Sequence, residues 1–262
     1  MIVTGAIAVG IVLVLLGIIY GLQDRLIFFP EKLPRHFHFA FKTPFEEVFL
    51  KIDAATEINA LHFRAKNPKG VLLYFHGNAG SLRTWGYLAE DYLRLNYDVF
   101  MVDYRGFGKS TGSRTEAALH QDAQFAYNYL TKQYPENNII VFGRSIGTGL
   151  AVPVAAQNKP RALILETPFF NFNDVAKTHY SFLPVTLLLK YNFRSDKWMP
   201  KVECPVYIFH GTADNIVPYS SGKKLAELAN KNRVKLITIP DGGHNDLSNY
   251  RHYQLAMRDI LK

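Results

Sequence analysis

Ser145, Asp214 and His244 lie far apart in the chain, but their side chains are the three that together make an oxygen nucleophile: a hydroxyl, a carboxylate and an imidazole. A serine attacks a carbonyl efficiently only when a base takes its proton as the new bond forms. An imidazole is such a base near neutral pH, provided a carboxylate fixes its tautomer. Ser145 sits in Gly143-Arg144-Ser145-Ile146-Gly147, directly after the apolar run Asn138 to Phe142 and before Thr148 to Val152. That context puts the serine where a strand turns sharply into a helix. The chain presses close on either side of such a turn, so only glycine fits two residues before and two after the serine, and both positions are glycine. The pattern alone is weak, because serines also cap helices; its weight depends on a base, an acid and an anion-stabilising loop appearing at matching places.

The base and the acid each follow an apolar stretch. His210-Gly-Thr-Ala-Asp214-Asn-Ile-Val-Pro218 begins where Val206 to Phe209 ends, which puts Asp214 in a strand-to-helix loop, and Asp241-Gly-Gly-His244-Asn-Asp246 follows Val234 to Ile239 in the same manner. Asp241 is the rival acid, three residues from His244 in one loop. Asp214, coming from the neighbouring strand, can approach the ring from the far side and is the expected partner. His252, the rival base, falls inside the last helix, which is expected from about Asn245 to the end. His76 and His210 end strands beside glycine and are expected to brace loops by hydrogen bonds. Arg144 is read as steadying a loop in preference to meeting a substrate carboxylate.

Other patterns exclude functions. Asp103-Tyr-Arg-Gly-Phe-Gly108-Lys109-Ser110 ends like a phosphate-binding loop, but Asp103 stands where that motif requires its first glycine, and Thr111 stands where G-x-G-x-x-G requires its last. His36 and His38 form an H-x-H pair with no third ligand at a recognisable spacing, so no metal is expected. The single cysteine, Cys204, rules out an internal disulfide and is expected to be a packed, inert thiol. The net charge of +8 and pI near 9.4 come from Lys and Arg scattered along the chain, which argues against nucleic acid and for an anionic membrane surface.

The elements that must position these residues alternate. β-rich stretches at 48–52, 58–63 and 71–75 are followed by apolar strands at about 97–103, 138–142, 162–166, 205–209 and 234–239, with helix-length segments such as Glu116 to Lys132 and Ser220 to Ala229 between them. Continuous apolar strands joined by helical crossovers predict an α/β fold around a mostly parallel sheet covered on both faces. The catalytic domain is placed at 47–262, with an aromatic insertion at 168–203 that is either a lid over the strand ends or an ordinary packed crossover. An aromatic connector occupies 24–46. Residues 1–23 are read as a single-pass membrane anchor, since 2–22 carry no charge and no basic side chain or A-x-A-like site marks a cleaved signal. The nearby Lys and Arg would leave the catalytic domain cytoplasmic, and Gly17-Ile-Ile-Tyr-Gly21 could support a helix-mediated dimer.

The order Ser145, Asp214, His244, each at the end of a strand, is that of the α/β-hydrolase superfamily, which this chain resembles. The closest branch is the membrane-anchored serine hydrolases marked by His-Gly-Asn-Ala-Gly, here His76 to Gly80, and Gly-Arg-Ser-x-Gly, here Gly143 to Gly147; it includes protein depalmitoylases and lipase-like relatives. The resemblance implies an eight-stranded sheet with helices on both faces and a helical insertion after the sixth strand. It also implies an oxyanion hole made by the backbone N–H groups of Asn78 and Ile146, a scaffold role for the Asp103 loop, and no metal or organic cofactor. One departure is that depalmitoylase relatives carry an acylated cysteine cluster near the N-terminus, where this chain has an uncharged segment. The activity implied is hydrolysis of carboxylic esters or thioesters of acyl, lipid-like substrates through an acyl-enzyme. A peptidase of prolyl-oligopeptidase type, for which no propeller is present, and a non-catalytic binding protein of the same fold are the alternatives.

Overall fold

The computed structural model describes residues 2–181 and 184–262, with the side chains of 2–9, 12, 13 and 187 outside the description. In chain order the strands are β1 (Phe29–Pro30), β2 (Phe45–Lys51), β3 (Glu57–Phe63), β4 (Val71–Phe75), β5 (Ala79–Gly80), β6 (Asp98–Val102), β7 (Ile139–Arg144), β8 (Ala162–Glu166), β9 (Val206–Gly211) and β10 (Val234–Ile239). Eight of them form one sheet in the order β10-β9-β8-β7-β4-β6-β3-β2, and β1 pairs separately with β5. The ladders from β6 to β10 are parallel, while β3 is antiparallel to both β2 and β6. Every residue of β4, β6 and β8 is buried, as strands covered on both faces must be, and this is why they read as unbroken apolar runs. Two hydrophobic clusters, one on each face, complete the mostly parallel α/β architecture.

Helices α1 (Ile2–Ile27), α2 (Leu82–Trp85), α3 (Ala89–Leu93), α4 (Glu116–Thr131) and α5 (Thr148–Gln157) precede the insertion, which contains α6 (Phe172–His179), α7 (Val185–Leu188) and α8 (Ser195–Trp198); α9 (Tyr219–Leu228) and α10 (Arg251–Ile260) follow. The hydroxyl of Thr115 accepts from Ala118 N and caps α4, which buries Leu119, Ala123, Ala126 and Leu130 along one stripe. α5 is buried from Thr148 to Ala155, and Gly149 lets it lie against Phe169 and Phe193 at the base of the insertion.

Two expectations need correcting or confining. The last α-helix starts at Arg251, not near Asn245: Asp246 accepts from Gly243 N at 2.7 Å, and Leu247–Asn249 make a single 3₁₀ turn that ends at the extended Tyr250. The expected membrane span at 1–23 falls partly outside the described residues, and among the described residues no helix is long and apolar enough to cross a membrane. Phe182 and Leu183 of the insertion also lie outside them.

On β3, the fully buried His62 faces the Tyr134 hydroxyl at 3.0 Å. Burial, with Arg64 nearby and only partly countered by Asp98, lowers its pKa from 6.5 to about 4. The unfolded chain therefore binds a proton that the folded chain refuses, so this contribution is intact above pH 6.5 and is lost as pH falls towards about 4. His62→Gln is expected to remove about 3 kcal/mol of that acid-induced loss. Urea midpoints measured across the interval check it, and unchanged pH dependence would contradict it.

Candidate active site

Ser145 follows β7 at a backbone φ of +51°, the left-handed region in which a non-glycine residue is rare. Its neighbours show why the turn tolerates no other shape. A Cβ on Gly147 would stand 2.2 Å from Phe75 O, and one on Gly143 would stand 2.7 Å from Ala151 Cβ and 2.8 Å from Gly147 O. Strand, turn and α5 are thus in contact at backbone level, and the serine hydroxyl is lifted clear of the sheet.

The imidazole of His244 reaches that hydroxyl from the loop after β10. Its Nε2 is 2.9 Å from Ser145 Oγ and its Nδ1 is 2.8 Å from Asp214 Oδ2. The carboxylate beside Nδ1 places the ring proton there, so Nε2 is left with a lone pair to accept from the serine. Asp214 is held in turn: Oδ1 accepts from Ile216 N and Val217 N, each at 2.9 Å. Burial alone would push its carboxyl up, but hydrogen bonds from His210 and His244, the charge of His244 and the Val217 amide hold it far below the usual carboxylate range. Asp241, the rival acid, serves its own turn at φ +59°, its N–H donating to Thr212 Oγ1 and its carbonyl accepting from the Tyr250 hydroxyl. His252 is exposed on α10.

His210 does more than brace a loop. Its Nε2 lies 2.9 Å from Val217 O and 3.3 Å from Asp214 Oδ2, so the carboxylate sits between two imidazoles. Gly222 makes room for the ring, since a Cβ there would stand 2.3 Å from His210 Nδ1. Arg144 is fixed by Glu166 at 3.1 Å, lies over the Trp85 ring at 5.3 Å, and donates to Asn245 O at 3.3 Å. It ties the serine turn to the loop that carries His244. Spacing along the chain carries no signal for the Arg144 contacts, because Glu166 and Asn245 come from two other strand ends.

Asn78 and Ile146 border the same cavity as Ser145, and the loop at Gly77 passes close enough that a Cβ there would lie 3.9 Å from Ser145 Cβ. The segment beneath this loop is structural. His76 Nδ1 donates to Gly77 O at 2.7 Å, and its Nε2 faces the buried Asp103 at 3.3 Å. Burial pushes the Asp103 carboxyl up against the pull of His76. In the loop that ends like a phosphate site, Lys109 pairs with Glu47 at 2.8 Å and Ser110 donates to Asp103 O. The connector also engages: β1 lies along β5, Glu31 N donates to Gly80 O at 2.9 Å, and the Glu31 carboxylate accepts from Ser81 and pairs with Arg83.

Above Ser145 and His244 opens a cavity of about 610 Å³. Its walls come from the insertion through Phe169, Phe172, Val175 and Val185, and from α1 through Ile19, Gln23, Leu26 and Ile27. Gln23 is a contributor that sequence reasoning missed. Among the described residues no three His, Cys, Asp or Glu side chains converge as a metal site would. Cys204 is buried, and that burial pushes its thiol up to about 12.

The family described as "Serine aminopeptidase, S33" matches residues 66–195. Protein bem46 of Schizosaccharomyces pombe is 32% identical over 98% of this chain and 92% of its own length. The lysophosphatidylserine lipase ABHD12 of Danio rerio is 34% identical over 64% of this chain, which spans about half of that relative, 48%. Among solved structures, an esterase of Pyrococcus furiosus superposes with a TM-score of 0.69 at 18% identity, covering 88% of this chain and 97% of its own, a likeness of fold.

Proposed function

Because this chain belongs to the α/β-hydrolase family that includes bem46, we propose that it is a serine hydrolase of carboxylic esters or thioesters with an apolar acyl group. The observation that carries the reading is the unbroken relay from Asp214 through His244 to Ser145 at one side of an apolar cavity. Ser145 Oγ attacks the carbonyl carbon as His244 Nε2 takes its proton. The negative charge on the carbonyl oxygen is met by the N–H groups of Asn78 and Ile146, donors of a kind each worth ~10²–10³ in turnover. The imidazolium then protonates the departing alcohol or thiol. Water, deprotonated by the same nitrogen, frees the acid from the serine ester.

The membrane belongs to the same proposal. The uncharged stretch 2–22 is read as an anchor in a bilayer that supplies the substrate, with the catalytic domain on the cytoplasmic side.

The family's description favours a second reading, an aminopeptidase. Such an enzyme needs a carboxylate to hold the substrate's terminal ammonium, and no Asp or Glu is among the described residues that line the cavity. A fluorophosphonate probe is expected to label the wild type and not Ser145→Ala; equal labelling of both would sink the assignment. Turnover of aminoacyl amides at rates matching those of octanoate esters would favour the peptidase.

A further inference from the structure

The last turns of α1 are more than a tether. Ile19, Gln23, Leu26 and Ile27 all line the cavity over Ser145, and their spacing of four, seven and eight positions is that of a single helical face. Ile18 and Leu22 point elsewhere and are exposed. The rotation of the helix about its axis is fixed by polar contacts. Gln23, buried to 4% exposure, donates to Leu188 O and accepts from Lys190 N at 2.9 Å. Asp24 accepts from the Tyr191 hydroxyl at 2.7 Å, and Ile27 O accepts from the Asn78 side chain in the loop beside the nucleophile. Ile27 therefore stands at the reacting end, and Ile19 lies about 12 Å away along the helix, at 1.5 Å per residue. Leu26 and Phe29, at 57% and 58% exposure, mark the open side.

We infer that this face of α1 is the wall along which the substrate's acyl chain lies, so that the N-terminal helix sets the acyl-chain length the enzyme accepts. The inference rests on the serine-hydrolase reading above. The carbonyl lies at Ser145 and the chain passes Ile27, then Gln23, then Ile19. Each methylene that gains the apolar wall should raise kcat/KM about fourfold until the wall ends.

The test is the kcat/KM profile of the full chain against p-nitrophenyl esters of increasing length. Ile19→Trp is expected to shift the preferred length down by two or more methylenes, Ile19→Ala to shift it up, and Leu22→Trp, on the exposed face, to keep the wild-type profile. Opposite shifts from two substitutions at one position cannot come from general damage, and Ile19→Ala keeps the test alive if the tryptophan variant does not fold. Each profile is measured with monodisperse ester and with ester in phosphatidylcholine vesicles. Shifts in both arms support the wall; shifts in vesicles alone would assign α1 to delivery and overturn it. An unshifted optimum in both Ile19 variants, with fluorophosphonate labelling intact, overturns this inference alone. Absence of labelling in the wild type overturns the serine-hydrolase reading beneath it.

Discussion

Ser145→Ala is expected to lower kcat for an activated ester by about 10⁵–10⁶, the loss typical when the nucleophile of an interdependent set is removed. The thermal midpoint should hardly move, since alanine keeps the backbone path and loses one hydroxyl at the cavity. Adding His244→Ala to this variant should cost little further. With Oγ gone, Nε2 has no proton to take, so the pair linked at 2.9 Å acts as one unit. The kcat values of the two single variants and the double variant, each referred to the concentration of folded protein, check it. A further thousandfold fall in the double variant would mean that the residues act separately.

Asp214→Asn is the second large effect, with an expected fall of about 10⁴ in kcat. Its direction follows from the lone pairs. The oxygen that accepts from Ile216 N and Val217 N must remain an oxygen, so the new NH₂ takes the place of Oδ2. There it meets Nδ1 of His244, which donates to the carboxylate, and lies beside Nε2 of His210, which donates to Val217 O. His244 escapes the clash only by moving its proton to Nε2, and it then has no lone pair to offer the serine. Asp241→Asn, at a residue whose contacts to Thr212 and Tyr250 are made by its backbone, is the comparison. Should it lower kcat as far as Asp214→Asn does, the acid would have to be reassigned.

What the sequence made legible was what is decided locally. The glycines at 143 and 147 announce a turn too tight for a side chain, and the runs at 71–75 and 162–166 announce strands covered on both faces; the structure has β4 and β8 at those bounds. Asp214 and His244 could be named because each follows such a run. What escaped was decided by partners far away in the chain. Gln23 meets Leu188 across 165 positions, and nothing in an uncharged stretch says which way its one amide will face. Arg144 depends on Glu166 and Asn245 from two other strand ends. The helical pattern after His244 does not mark where α10 begins, because Leu247–Asn249 close as a 3₁₀ turn and the extended Tyr250 separates them from Arg251.

The two-residue pairing of Phe29–Pro30 with Ala79–Gly80 bears on modularity. An anchor whose work is only to keep an enzyme near a surface can be exchanged for any other of equal greasiness. Here the stretch from Gln23 to Leu33 is interleaved with the cavity and the loop after β4, so a foreign segment spliced in at residue 33 would carry off part of the pocket and the brace under that loop. The N-terminal helix and the α/β domain are in that respect a single part.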